Sequence, residues 1–169
     1  MYAYITCRPD IGYALTTLSK FTSSPSPFHY SLLKRLAKYL RSTIDWGIRF
    51  KRPKLLSHLP EGKDYVLDTN DDNPFPVDIN EPVLKCFVDA SHGTDLRRMR
   101  SITGLVCTYC GGAIVYRLKT QELCAGSSTE AEFIGAYTAG KVVRYVRNVL
   151  KELGFKQKEP TPIYIDKRT

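Results

Sequence analysis

The sequence predicts an α/β fold, a mixed sheet carrying one long helix, with a smaller helical segment in front of it. Three observations carry that prediction. Three apolar runs of strand length follow one another between residues 83 and 120. The stretch "SSTEAEFIGAYTAGKVVRYVRNVLKELG" then repeats its apolar residues with helical period. A last short run, "TPIYID", closes the order β-β-β-α-β, in which the final strand is expected to lie parallel to the first. The organisation that follows is residues 1–50 as a helical unit, 51–82 as a linker or long exposed loop, and 83–169 as the α/β domain.

Taken in order, "RPDIGYALTTLSKF" spaces Ile11, Ala14, Leu15, Leu18 and Phe21 on one helical face, with Pro9 in the first turn. "SSPSP" breaks it. "FHYSLLKRLAKYLRST" resumes the period through Leu32, Leu33, Leu36, Tyr39 and Leu40, so the pair reads as a helical hairpin. "DWGIRF" reads as a short strand. Residues 51–82 are rich in Pro, Asp, Asn and Lys and carry little period. "VLKCFVD" is the first strand of the second part, and "DLRRMRS" a polar connection. "ITGLVCTYC" and "AIVYRLKT" are strands parted by Gly111-Gly112, a hairpin signal. In the long helix Thr129 and Glu132 have capping-box spacing. Val142, Val143, Val146, Val149, Leu150 and Leu153 form its apolar face, and Gly154 is its stop.

Composition excludes several classes. No apolar run approaches the length of a membrane span, and the N-terminus lacks the order of a secretory signal. "MYAYITCRPD" reads as the interior of a longer protein and "IYIDKRT" as a stop just after a strand, so a fragment at both ends is expected. The five cysteines are odd in number, which speaks against a disulfide framework. Cys107 and Cys110 form a lone CxxC running from a strand into a turn, without a second ligand pair, which is wrong for zinc. The net charge is +8. Residues 1–60 hold 10 of the 25 basic residues and 2 of the 17 acidic ones, so the whole excess lies there. Lys34, Arg35, Lys38 and Arg41 largely avoid the apolar face of their helix. Such a patch suits a polyanion, and it equally suits a plain solvated face.

Three carboxylates stand at three element ends. Asp89 closes the first strand, Glu132 lies in the first turn of the long helix, and Asp166 closes the last strand. Sites in open α/β sheets gather at the carboxyl edge of parallel strands. Carboxylates converging there repel one another unless a hard divalent cation, Mg²⁺ or Mn²⁺, sits between them. Each residue also has a structural reading, as a turn starter or a helix cap, and on spacing alone Glu130 serves as well as Glu132.

These stretches together resemble the Pol polyprotein of copia-type (Ty1/copia) retrotransposons, from the end of reverse transcriptase into the ribonuclease H domain. "YITCRPDIGYALTTLSKF" and "SPFHYSLLKRLAKYLRSTIDWGIRF" are similar to the end of the polymerase. "FVDASHGTDLRRMRSITGLV", "SSTEAEFIGAY" and "IYID" are similar to the nuclease. The resemblance implies an RNase H-like fold, and hydrolysis of the RNA strand of an RNA·DNA hybrid by two-metal catalysis, with two Mg²⁺ (or Mn²⁺) ions held by four carboxylates. By motif the first three are Asp89, Glu132 and Asp166, which leaves Glu130 outside the site. It implies that residues 1–50 are the helical end of reverse transcriptase, with Lys34, Arg35, Lys38 and Arg41 as phosphate contacts. The implied partners are the hybrid and the rest of the Pol polyprotein, with no membrane and no small-molecule cofactor. The implied setting is the cytoplasm, a virus-like particle or the nucleus.

The sequence also departs from the family. Ser91 stands where a second acid usually follows the first. His92 and Gly93 replace an aromatic and a small residue, and His92 reads as a surface loop residue. Lys167 and Arg168 follow the third acid. The fourth carboxylate is expected further on, and the polymerase aspartates upstream. The alternative reading is therefore a catalytically inactive, decayed remnant that binds nucleic acid or links polymerase to nuclease.

Overall fold

β1 (Lys85–Asp95) is the axis of the fold, because it is hydrogen-bonded along both edges. The computed structural model describes residues 2–50, 83–95 and 99–166. The expected linker at 51–82, and Lys167 and Arg168, lie outside them. β1 pairs antiparallel with β2 (Arg100–Tyr109), which pairs antiparallel with β3 (Gly112–Thr120). β4 (Ile163–Ile165) returns parallel to β1, through Cys86↔Ile163, Phe87↔Tyr164 and Val88↔Ile165. The sheet order is β3-β2-β1-β4. The expected parallel pairing of first and last strands is therefore present.

Alternation along β1 decides which face is core. Leu84, Cys86 and Val88 are buried, while Phe87 and Asp89 are exposed, the period of two a half-covered strand requires. The long helix α4 (Ser128–Glu152) covers the buried face. Its Ala139, Val143, Val146 and Leu150 pack on Leu84, Cys86, Val88, Leu105 and Cys107. Each fully buried Leu or Val there contributes roughly 1.5–3 kcal/mol. Leu153, expected on the apolar face, is 65% exposed because it lies past the last helical turn. The N-terminal half of α4 instead buries the small residues Ala131 and Gly135. A Cβ on Gly135 would touch Val88, Thr103 and Ala90 at 3.4–3.6 Å, so the helix rides close to the sheet.

Both ends of α4 are specified locally. Ser127 is the N-cap, its hydroxyl accepting from the Glu130 amide at 3.1 Å, and the Glu130 carboxylate accepts from the Gly126 amide at 2.7 Å. The cap thus sits two residues before the expected Thr129–Glu132 pair. At the other end the Phe155 amide donates to the Leu150 carbonyl and the Gly154 amide to Lys151. Gly154 takes φ +89°, which completes a Schellman stop.

Three other expectations are corrected. The β2–β3 turn is centred on Cys110-Gly111, with φ of 50° and 77°, the signature of a two-residue type I′ hairpin. Gly112 already belongs to β3 and has a different reason to be glycine: a Cβ there would press into the Phe50 ring and the Arg49 carbonyl. "DWGIRF" is not a strand. The chain turns at Trp46, whose amide bonds the Thr43 carbonyl, and then lays Phe50 against the hairpin end instead of pairing. β1 also runs past Asp89 to Asp95, with an irregular register after Ser91, so part of "DLRRMRS" is strand.

The N-terminal segment holds α1 (Tyr2–Thr6), a 3₁₀ turn at Pro9–Ile11, α2 (Gly12–Ser19) and α3 (Pro27–Ser42). Ser26 caps α3 reciprocally with His29. The His29 ring stacks on Phe21 at 4.0 Å, closing the expected α2–α3 hairpin. Arg8 is the keystone of this segment. It donates to the Thr43 carbonyl at 2.8 Å and hydroxyl at 2.6 Å, and pairs with Asp10 at 2.8 Å. The Tyr39 hydroxyl donates to the same carboxylate. The Arg8 guanidinium holds the Asp10 carboxyl below its ordinary range, and the bond to Asp10 pushes the Tyr39 phenol up.

Candidate functional site

The face of the sheet opposite α4 carries the candidate site. Val88 and Ala90 approach Gly135 of α4, so Asp89, between them, points the other way. On β4 the same alternation puts Tyr164 and Asp166 together. Val88 pairs with Ile165, and carrying that register one residue further sets Asp89 beside Asp166. Neighbouring strands are about 5 Å apart. Like charges on adjacent strand positions repel one another.

Two residues back on each strand stand Phe87 and Tyr164, stacked at 4.9 Å with their planes 15° apart. The acids and this stack line one side of a slot of about 540 Å³. Its floor includes Gly104, the β2 partner of Asp89. Tyr4, Pro9, Asp10, Gly12 and Tyr13 of the N-terminal segment form the opposite wall. The Tyr116 hydroxyl donates to the Ile5 carbonyl at 2.8 Å, and the Tyr4 ring meets Tyr116 edge-on, which holds that wall over the sheet.

Glu132 lies in the other layer. It falls at the edge of the sheet-facing stripe of α4, in line with Leu150, and is half-buried. Gln121 pins this turn by donating to the Thr103 hydroxyl at 2.8 Å and the Ala131 carbonyl at 2.9 Å. α4 runs antiparallel to β1, so its first turn lies at the carboxyl end of the β1–β4 pair. Glu132 and the two aspartates thus share an end of the sheet but not a face. Among the described residues no three His, Cys, Asp or Glu side chains lie close enough to hold a metal. Two carboxylates still suit a hard dication, since Mg²⁺ commonly keeps several waters and takes one or two carboxylates. Glu130 is committed to the Gly126 amide.

Lys34, Arg35 and Lys38 line one shallow hollow with Phe28, Ser31 and Leu32, and Arg41 is exposed in the last turn of α3. The Lys34 ammonium also sits 4.6 Å over the Tyr30 ring. His92 is not idle: its Nε2 lies 3.0 Å from the Ala125 carbonyl. Cys107 lies opposite Cys86 with the sulfurs 3.3 Å apart, while Cys110 is in the turn, which removes the CxxC as a chelate. The bond to Cys86, and then burial, push the Cys107 thiol far above its ordinary range. No helix among the described residues is long and apolar enough to cross a membrane. The aromatic pair behind the acids was missed in the sequence, although period two on "FVD" and "YID" would have found it. The Arg8 network leaves no local signal.

The chain is 32% identical over all its 169 residues to the retrovirus-related Pol polyprotein from transposon TNT 1-94 of Nicotiana tabacum. It is 29% identical over 159 residues to that from transposon RE2 of Arabidopsis thaliana. It spans 11% and 9% of the lengths of those two proteins. It is also 31% identical over 134 residues to secreted RxLR effector protein 161 of Plasmopara viticola, covering 79% of this chain and 76% of that one. No family model matches, and no solved structure matches.

Proposed function

From the premise that this chain belongs to the copia-type, retrovirus-related Pol family, we propose that residues 83–169 form an RNase H-like nuclease domain. In this reading the domain hydrolyses the RNA strand of an RNA·DNA hybrid. The observation that supports it is that Asp89 and Asp166 each follow the last paired residues, Val88 and Ile165, and line one slot at the carboxyl end of the parallel strands. Asp89 and Asp166 would hold Mg²⁺ or Mn²⁺, with Glu132 at the same end of the sheet in the helical layer. Bound there, a divalent ion supplies an activated water and charge neutralisation at the phosphodiester. The chain's own part is positional. The hydrogen-bonded strand fixes Asp89, and the Ser127 cap and Gln121 fix the first turn of α4. Lys34, Arg35, Lys38 and Arg41 would contact phosphates without reading bases, and the hybrid would be recognised by shape and 2′-OH groups.

The test is Mn²⁺-dependent cleavage of a labelled hybrid by the wild-type chain and by Asp89→Asn. Cleavage of the RNA strand alone, lost in the mutant, supports the reading. A second reading, a remnant that binds without cutting, is favoured by the lack of a three-ligand group among the described residues. It predicts salt-dependent hybrid binding, indifferent to Asp89→Asn, and no cleavage.

A further inference from the structure

The outward face of α4 carries more exposed aromatic surface than a solvated helix needs. Phe133, Tyr137 and Tyr145 are 71%, 66% and 68% exposed. With 100° per residue, Phe133, Tyr137, Lys141, Arg144 and Lys151 fall within an arc of about 80°, opposite the buried stripe, and Tyr145 borders it. Between Phe133 and Lys151 the helix holds no acid. Its acids stand only at its ends: Glu130, bonded to the Gly126 amide, Glu132, at the edge of the sheet-facing stripe, and Glu152. Glu122, from the loop before the helix, is paired with Lys119 at 2.6 Å. The Lys141 ammonium lies 4.3 Å over the Tyr137 ring, so ring and cation already form one surface.

We propose that this face binds single-stranded nucleic acid. The charge is complementary to a phosphate backbone, and the flat rings offer stacking to bases. Base faces are open in a single strand and closed in a duplex, which selects the occupant. The face lies on the opposite side of the sheet from Asp89 and Asp166. It is therefore a second surface, suited to an unpaired stretch beside whatever the carboxylates hold, and it does not rest on the nuclease reading.

The test uses the full chain in EDTA, with a fluorescent oligothymidylate and a duplex of equal length, read by anisotropy across a salt series. The triple variant Phe133→Ala, Tyr137→Ala, Tyr145→Ala removes only exposed rings, and circular dichroism checks its helix. It should lose at least a hundredfold in single-strand affinity and little for duplex. Lys141→Gln with Arg144→Gln should flatten the slope of log affinity against log salt by roughly 1.4. Unchanged single-strand affinity in the triple variant overturns the proposal. So does a concentration-dependent dimer in sedimentation that the triple variant abolishes, since the rings would then serve a second copy of the chain.

Discussion

Replacing Arg147 by methionine keeps the length of the side chain and removes its hydrogen bonds. Arg147 projects from α4 and donates to the Glu159 carbonyl at 2.7 Å, the Thr161 hydroxyl at 2.8 Å and the Gln157 carbonyl at 2.9 Å. It thereby fastens the connection that delivers β4, and with it Asp166, to β1. A hydrogen bond to a charged group is worth about 1.5–3 kcal/mol. The Glu159 carbonyl is exposed and recovers water, so the two part-buried bonds dominate. After discounting solvent access, the loss is about 2–4 kcal/mol, concentrated on β4 because its ladder is three residues long. The reporter is the Cys86 amide, which donates to the Pro162 carbonyl at 3.0 Å. Hydrogen exchange at Cys86 should accelerate roughly 30- to 1000-fold, at 1.4 kcal/mol per tenfold. The core helix around Val143 should change far less. Lysine at this position, with one ammonium for a fork of donors, should fall between. Unchanged protection at Cys86 in Arg147→Met would refute the argument that this clamp holds β4.

Gly135→Ala should raise stability by about 1 kcal/mol in denaturant unfolding, since the added Cβ meets only ordinary contacts and helix propensity improves. Gly135→Val should reverse that gain by about 1–3 kcal/mol, because Val88 and Thr103 leave no further room. Asp10 has its pKa depressed by Arg8, so its stabilisation is full above the ordinary carboxylate range near 4 and is lost as pH falls through its lower folded value. Acid unfolding curves of wild type and Asp10→Asn should accordingly converge at low pH and separate above it. In native buffer an alkylating reagent should label the exposed Cys7 and Cys124 and spare Cys86 and Cys107, which should react only on unfolding.

Legibility followed locality. The four strands after residue 83, the long helix and its glycine stop are written in period and punctuation, and the structure contains them. The α4 cap was misplaced because Ser127, Ser128 and Thr129 are all competent caps. Only the fold shows that Ser127 takes the role and that Glu130, not Glu132, is spent on it. Gly112 looked like a turn residue, but its reason is the Phe50 ring, sixty-odd residues earlier in the chain. The alternation of "FVD" and "YID" was enough to place Asp89 and Asp166 on one face once the strands were parallel. The same alternation sets Glu132 in a different layer, and no spacing rule reaches across a sheet.

The central claim is that Asp89 and Asp166 together form a seat for a divalent cation. It is tested most directly by titrating the protein with Mn²⁺ and following water-proton relaxation, with no nucleic acid present. The account predicts saturable binding, weakened at least tenfold by Asp89→Asn and by Asp166→Asn alike. Glu130→Gln, whose carboxylate serves the Gly126 amide, should leave binding in place. Equal Mn²⁺ affinity in wild type and Asp89→Asn would contradict it.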